Sequence, residues 1–590
     1  MMNHQLLKGI MLCSATFAIT SAASLIRTNT SQASALTNTE LQKVLAPKKA
    51  SYGYYINQYK SNTSTDVTPQ DNAATALFNN SFSKYWDPAS NGTKLNAKIL
   101  NENQQKSVTI SQNQTAAESL RSYLSDRRDS SYNEIPALGP FANAFVRDAD
   151  AKTNFTAFPS KPWPATAKDD PSSGVIWASD NSKLGSMVRL VNLTASQTYS
   201  SSGNPKKYFK YVRPFRQGPG INMNKYLVAV FNATPATDYD FPSGHTTQAF
   251  ETALIMGYTL PQRFSQEVTR ASEVGYDRVL VGRHSPLAVM GGRVLGTAVA
   301  AAVLNDSSNS ALIKKAYSNA QTVLANKPDK NAADDYNNYQ TNLKNYDARM
   351  TYGFETIDSK KTPMSVPKGA EILLKTRFPY LNVTQRREIL YTTGFKAGYP
   401  INDDTEGWGR LNLVKADGGF GKLLTNTTIN MKESSKPYSK NDIWRNNVGG
   451  QGSLTKAGNG TLSLEGTNTF SGTTIKGGTL IASNTHALGS GKLNLTGGTL
   501  KLGTGKVKVQ GNYAQNAKAN LNVNGTNQLA IHGTAKLGGN LTVSVKSTSA
   551  KKITLLTFHK RSGKFDKVNV SSKQKHWHAK YTTHSVQLVR

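Results

Sequence analysis

The stretch GYDRVLVGRHSPLAVMGGRVLG, residues 275–296, decides the fold. It joins two longer segments, QRFSQEVTRASEVGYDRVLVG and LAVMGGRVLGTAVAAAVL, whose apolar residues recur at three-to-four spacing. That period predicts a helix on either side of a short turn carrying Arg283 and His284. An arginine, a histidine and a Gly-Gly-Arg run suit the handling of phosphate. Yet Ala288 stands four residues after His284, one helical turn on, where a carboxylate partner for the imidazole is expected.

The same helical period extends outward. AAESLRSYLSDRR, LGPFANAFVRDADA, HTTQAFETALIMGYTL and SALIKKAYSNAQTVLAN share it, and a polar connector follows over residues 327–349. VPKGAEILLKTRFPYLNVTQRREILYTTGF then reads as two further helices, so an all-α bundle is predicted over residues 116–430. Trp408, in the Gly-rich INDDTEGWGRLNLVKADGGFG, is read as a packed aromatic rather than a substrate contact. Residues 36–115 are rich in Asn, Ser, Thr and Lys with weak periodicity, and read as a loop-rich leader.

After residue 442 the pattern changes to short runs of two-residue alternation separated by Gly and Asn. The word GGTL occurs at Gly477 and again at Gly497, an interval suited to one rung of stacked strands. Residues 443–590 are therefore predicted to form a C-terminal β-solenoid of the parallel β-helix kind, which makes the chain multi-domain. GTLSLEGTNTFSGTTIKGGTLIASNTHALGSG closely resembles the autotransporter-associated β-strand repeat of secreted bacterial surface proteins. No long membrane β-barrel pattern and no sortase-type anchor follows it, so non-covalent attachment at a surface is the expectation.

Residues 1–35 read as a secretory signal peptide: Lys8, an apolar and small-residue run over residues 10–26, and Ala33-Ser34-Ala35 as a cleavage site. Cleavage there removes Cys13, the single cysteine, and with it disulfide and thiol chemistry. IMLC is a poor lipoprotein box. No later run reaches the roughly 18–20 continuous apolar residues that span a bilayer, so a mature chain without a transmembrane segment is expected. The net charge of +33 implies polyanionic surroundings. Without an RNP, zinc-finger or dense Arg motif the reading is no specific nucleic-acid partner, and anionic cell-wall polymers are the candidate.

Three islands carry the chemistry. KKYFKYVRP supplies Lys206 and Arg213, FPSGHTT supplies Ser243, Gly244 and His245, and DRVLVGRH supplies Arg278 and His284. Two guanidiniums and an ammonium neutralise and orient the oxygens of a tetrahedral oxyanion. A Ser-Gly pair opening a helix adds a hydroxyl and backbone N–H donors at the positive helix end. Two histidines suffice for the covalent work, one attacking phosphorus and the other protonating the leaving oxygen. His576 and His578 in HWH are read as surface residues, not a metal site.

In this order the islands closely resemble the signature of the type 2 phosphatidic acid phosphatase superfamily, which includes bacterial non-specific acid phosphatases and vanadium haloperoxidases. That signature runs KxxxxxxRP, PSGH, SRxxxxxHxxxD. The resemblance implies a secreted acid phosphatase acting on phosphate monoesters. Lys206, Arg213, Ser243, Gly244 and Arg278 would hold phosphate, His284 would form a phosphohistidine, and His245 would be the general acid. It implies no metal and no organic cofactor, vanadate entering only if the chain is instead a haloperoxidase. A surface-binding protein with a weakened phosphatase domain is the other alternative.

Two positions depart from the signature. Asp277 replaces the Ser before Arg278, where it could pair with Arg278 or another cation and weaken the grip. Ala288 replaces the Asp that would fix the tautomer of His284, a change expected to lower turnover by roughly 10² to 10⁴. A carbonyl, a water, Asp277 or Glu273 are the substitutes open to the sequence.

Overall fold

Helix Pro286–Asn305 runs through the centre of the bundle, buried along its length, with Gly244–Thr259 and Phe264–Leu280 packed against it. Among the described residues it is the one helix long and apolar enough to cross a bilayer, and here it is a core helix. Ser285 caps it by accepting from the Ala288 N–H, with Pro286 in the first turn. Ser243 caps its neighbour by accepting from the Thr246 N–H. The two helices approach so closely that a Cβ on Gly292 would lie 2.7 Å from the Ser243 carbonyl oxygen, and one on Gly296 only 2.3 Å from that of Thr247. The glycines of GGRVLG are there because backbone meets backbone.

The computed structural model describes residues 34–590 apart from 90–91, 165, 167–175, 358–361, 433, 435, 547 and 574–575. The expected signal peptide, Cys13 included, lies outside the described residues but for its last two. Ala35–Arg590 form one compact unit, a helical bundle with one small antiparallel sheet, Trp86–Asp87 against Thr93–Lys94, followed by a parallel β-solenoid.

The stretch read as a loop-rich leader is part of the bundle. It contains helix Ala97–Gln112, and its Phe82 ring stacks on Phe241 at 3.7 Å between centroids. Asn103 on that helix accepts from the Leu287 N–H at 3.0 Å. Periodicity missed the helix because its buried face is largely polar, with Asn103, Ser107 and Ser111 beside Ile99 and Leu100. Trp408 is wholly buried and donates to Glu406 at 3.2 Å.

The solenoid also starts earlier than expected, with strands Thr427–Asn430 and Asn441–Trp444 in its first layer. Two parallel seven-stranded sheets run its length, and a five-stranded third sheet joins them further along. Leu462, Leu480, Leu500, Leu521, Leu541 and Val568 stand in register as one apolar column, and the two GGTL words are successive layers of it. At the near end the column holds a carboxylate instead, Asp442 opposite Leu462. Asp442 is buried and accepts twice from Arg377 of the bundle, at 2.9 and 3.0 Å, and once from Tyr380. Arg377 also donates to Asp417 at 2.7 Å and lies over the Tyr438 ring. At the far end, His578–Tyr581 and Ser585–Val589 pair antiparallel onto the third sheet.

Two substitutions test these contacts by chemical denaturation. Gly296→Ala is expected to destabilise by about 3 kcal/mol or more, since helix backbone must move to admit the methyl. Arg377→Ala strands Asp442 in the interior and is expected to lower stability by about 3–5 kcal/mol.

Candidate active site

Helix Phe264–Leu280 ends in a turn at Gly282, whose φ of +80° suits glycine. Through it the Arg278 carbonyl accepts from the N–H groups of both Arg283 and His284, at 3.1 and 3.0 Å. Arg278 and His284 are thus fixed to each other by backbone. The PSGH island is tied to the same region by the Ser243 N–H, which donates to the Ala288 carbonyl at 2.9 Å. Lys206 lies on the short helix Gly203–Phe209, and Arg213 precedes helix Pro214–Gln217.

These elements converge on His284, whose side chain is 2% exposed. Arg213 Nη1 lies 3.0 Å from its Nδ1 and 2.5 Å from its Nε2. On the other side Asp240 Oδ1 lies 2.9 Å from Nδ1. Burial, reinforced by Arg213, Lys206, Arg278 and Arg283, holds the imidazole pKa well below its ordinary value, so the ring is neutral. An arginine only donates and an ionised carboxylate only accepts. A neutral ring with its hydrogen on Nδ1 toward Asp240 and a bare Nε2 toward Arg213 is the tautomer that suits both neighbours.

Asp240 is itself buried, which pushes its pKa up to about 6 against the opposing pull of Arg213, Ser285 and Lys206. Ser285 donates to it twice, from N–H at 3.2 Å and from Oγ at 2.5 Å. Lys206 Nζ donates to the Tyr239 carbonyl at 2.9 Å, and burial together with Arg213 pushes its pKa well down. Arg213 is pushed down to about 10 by burial and Arg283, and it keeps its charge at neutral pH.

Asp238 gathers three guanidiniums. Arg213 donates to it through Nε at 3.0 Å and through Nη2, Arg216 at 3.1 Å and Arg283 at 3.2 Å. Arg278 pairs with buried Asp126 at 2.5 Å. Burial opposes the ionisation of Asp126, but Arg278, Arg127, Arg283 and His245 together hold its pKa well below the usual carboxylate range. His245 is half-buried in the first turn of helix Gly244–Thr259, after Gly244. Ser243 is wholly buried, its oxygen accepting from Thr246 N–H at 3.3 Å and from Thr246 Oγ1 at 2.9 Å.

The substitutes considered for the missing acid lie elsewhere. Asp277 accepts from Arg121 at 2.8 Å and Ser125 at 2.6 Å, and Arg278 is paired with Asp126 instead. Glu273 accepts from Arg270 at 2.7 Å and Tyr336 at 2.6 Å. The carboxylate beside His284 is Asp240, which sequence reasoning passed over along with Asp238, Asp126 and Arg216. A cue was present in DYDFPSGH, where two acids immediately precede the PSGH island.

Residues 185–311 match the model of the PAP2 superfamily, and residues 454–482 match that of the passenger-associated transport repeat. A non-specific acid phosphatase of Salmonella typhi is 31% identical over 108 residues, 18% of this chain and 41% of the relative. Serotype-specific antigen 1 of Mannheimia haemolytica is 30% identical over 178 residues, 30% of this chain and 18% of the antigen. The Neisserial autotransporter lipoprotein NalP of Neisseria meningitidis serogroup B is 29% identical over 219 residues, 32% of this chain and 20% of NalP. The chain thus spans a fifth or less of the antigen and of NalP, and under half of the phosphatase.

Asp238 sits among the cations that an incoming oxyanion would meet. Asp238→Asn is expected to tighten orthophosphate binding by about tenfold, the order of one screened charge contact. Calorimetric titration of both proteins with orthophosphate checks this.

Proposed function

We propose that this chain, which carries a PAP2 superfamily domain and an autotransporter-associated repeat region, is an exported acid phosphatase hydrolysing phosphate monoesters through a phosphohistidine. The observation that carries the reading is a neutral, buried His284 with its Nε2 toward Arg213, in the combined field of Lys206, Arg278 and Arg283. Such a ring is a nucleophile next to a place built for an oxyanion.

In this reading the substrate phosphate takes over Arg213 from Asp238 and is shared with Lys206, Arg278, the Ser243 hydroxyl and the Gly244 N–H. Nε2 of His284 attacks phosphorus as the bond to the ester oxygen breaks, and His245 gives that oxygen its proton. Water then attacks the phosphohistidine, losing a proton to His245, and phosphate leaves with His284 restored. The cationic side chains offset the charge that develops on the phosphoryl oxygens, so the reading calls for no metal and no organic cofactor. Similarity to autotransporter proteins supports placement outside the cell or at its surface. Residues 443–590 carry twenty Lys and Arg against two carboxylates, Glu465 and Asp566, which suits attachment to anionic wall polymers.

The test is hydrolysis of p-nitrophenyl phosphate by the full chain. His284→Ala is expected to lower kcat at least 10³-fold, and ³¹P resonance of the unaltered chain after an alkaline quench should show a phosphoryl adduct that survives base and is lost in acid, as a phosphohistidine does. His245→Ala should cost more with alkyl phosphates than with the nitrophenyl ester, whose leaving group needs less protonation. Turnover indifferent to His284, or vanadate-dependent halide oxidation in its place, would sink the reading.

A further inference from the structure

We propose that Asp240 is the positioning residue for His284, holding its hydrogen on Nδ1 so that Nε2 faces the phosphate, from a different chain segment than the one where Ala288 stands. The inference rests on the phosphatase reading and adds to it the group that sets the nucleophile's tautomer.

Position 288 serves the backbone. Its N–H lies 3.4 Å from Ser285 Oγ, its carbonyl accepts from Ser243, and its side chain is wholly buried. The acid instead comes from the segment before Pro242. That segment is held by an isolated antiparallel bridge between Val212 and Tyr239, and by the Asp240 N–H donating to the Tyr211 carbonyl at 2.7 Å. Val212 is the residue before Arg213, so one bridge registers the acid against the arginine on the opposite side of the imidazole. Asp240 has little freedom to turn away: Oδ1 takes His284 Nδ1 and the Ser285 N–H, while Oδ2 takes Ser285 Oγ. The neighbouring acid is otherwise engaged, since Asp238 faces Arg213, Arg216 and Arg283.

The charged and titratable groups around this pair are Lys206, Tyr211 and Arg213 on one segment and Arg278, Arg283 and His284 on the other. Attack through Nε2 leaves the ring cationic with its hydrogen still on Nδ1, and the Asp240 carboxylate offsets that charge. Protonating Asp240 makes it a donor, which reverses the bond to Nδ1. With its pKa raised to about 6 by burial, kcat/KM should fall as pH drops through about 6.

The experiment begins with ¹⁵N resonances of the histidines in the full-length chain, assigned by loss in His284→Ala. A hydrogen on Nδ1 of His284 at pH 7 is expected; a hydrogen on Nε2 overturns the proposal without any variant of Asp240. Asp240→Asn is then expected to lower kcat by roughly 10² to 10⁴. It should abolish the acid limb near pH 6 and change orthophosphate affinity less than about threefold. A fall in phosphate affinity matching the fall in turnover would make Asp240 a structural residue only, as would an unchanged limb and tautomer. If the unaltered chain hydrolyses no ester while the Nδ1 hydrogen is present and is lost in Asp240→Asn, the phosphatase reading fails and the positioning role stands.

Discussion

Two backbones in contact set where the segments that carry His245 and His284 stand. Helices Gly244–Thr259 and Pro286–Asn305 meet where Gly292 and Gly296 leave no side chain between them. Close approach is what allows the Ser243 N–H to reach the Ala288 carbonyl. That bond ties the start of one helix to the first turn of the other. Ser243, Gly244 and His245 are therefore held against the turn that carries His284, with no intervening loop to blur their separation. Bulk at either glycine would separate the segment of His245 from that of His284 before it disturbed either side chain.

Within that frame, charge balance governs the site. Lys206, Arg213, Arg216, Arg278 and Arg283 crowd a region largely removed from water, a costly arrangement unless anions are interleaved. Each of three carboxylates has a separate station: Asp126 on Arg278, Asp238 on three guanidiniums, and Asp240 on the imidazole. Cations still outnumber anions. The surplus is what an oxyanion would satisfy, and burial together with the same surplus keeps His284 uncharged.

The sequence displayed the cationic islands because their spacing is local, set by a turn or a helix cap. Lys206, Arg213 and His284 could be named from KKYFKYVRP and GRH, and the structure brings these three together. The partners of the acids were not legible beyond the cue in DYDFPSGH, because Asp126 and Asp240 meet them only through tertiary packing; Asp240 is 44 residues from His284 in the chain. The reasoning that weighed Asp277 and Glu273 looked along one helix, and the answer came from across the site. Helix Ala97–Gln112 escaped for a related reason, its buried face being secured by Asn and Ser rather than by an apolar stripe. The solenoid was plain from its repeated words, but its first layer was not, since Asp442 stands where later layers have leucine.

That carboxylate has a consequence for how the chain could change length. A stack of parallel strands grows by whole layers, each adding about 4.8 Å along its axis, and each layer needs only its neighbours. Here the near end is closed by Arg377 and Tyr380 against Asp442, and the far end by an antiparallel hairpin on the third sheet. The near closure takes only the first position of the column, Asp442, and the far one lies on another sheet. Layers of GGTL type can be gained or lost from the middle while both terminations, and the helix pair that holds His284, keep their geometry. The solenoid is thus a ruler of adjustable length attached to a head that does not register the adjustment.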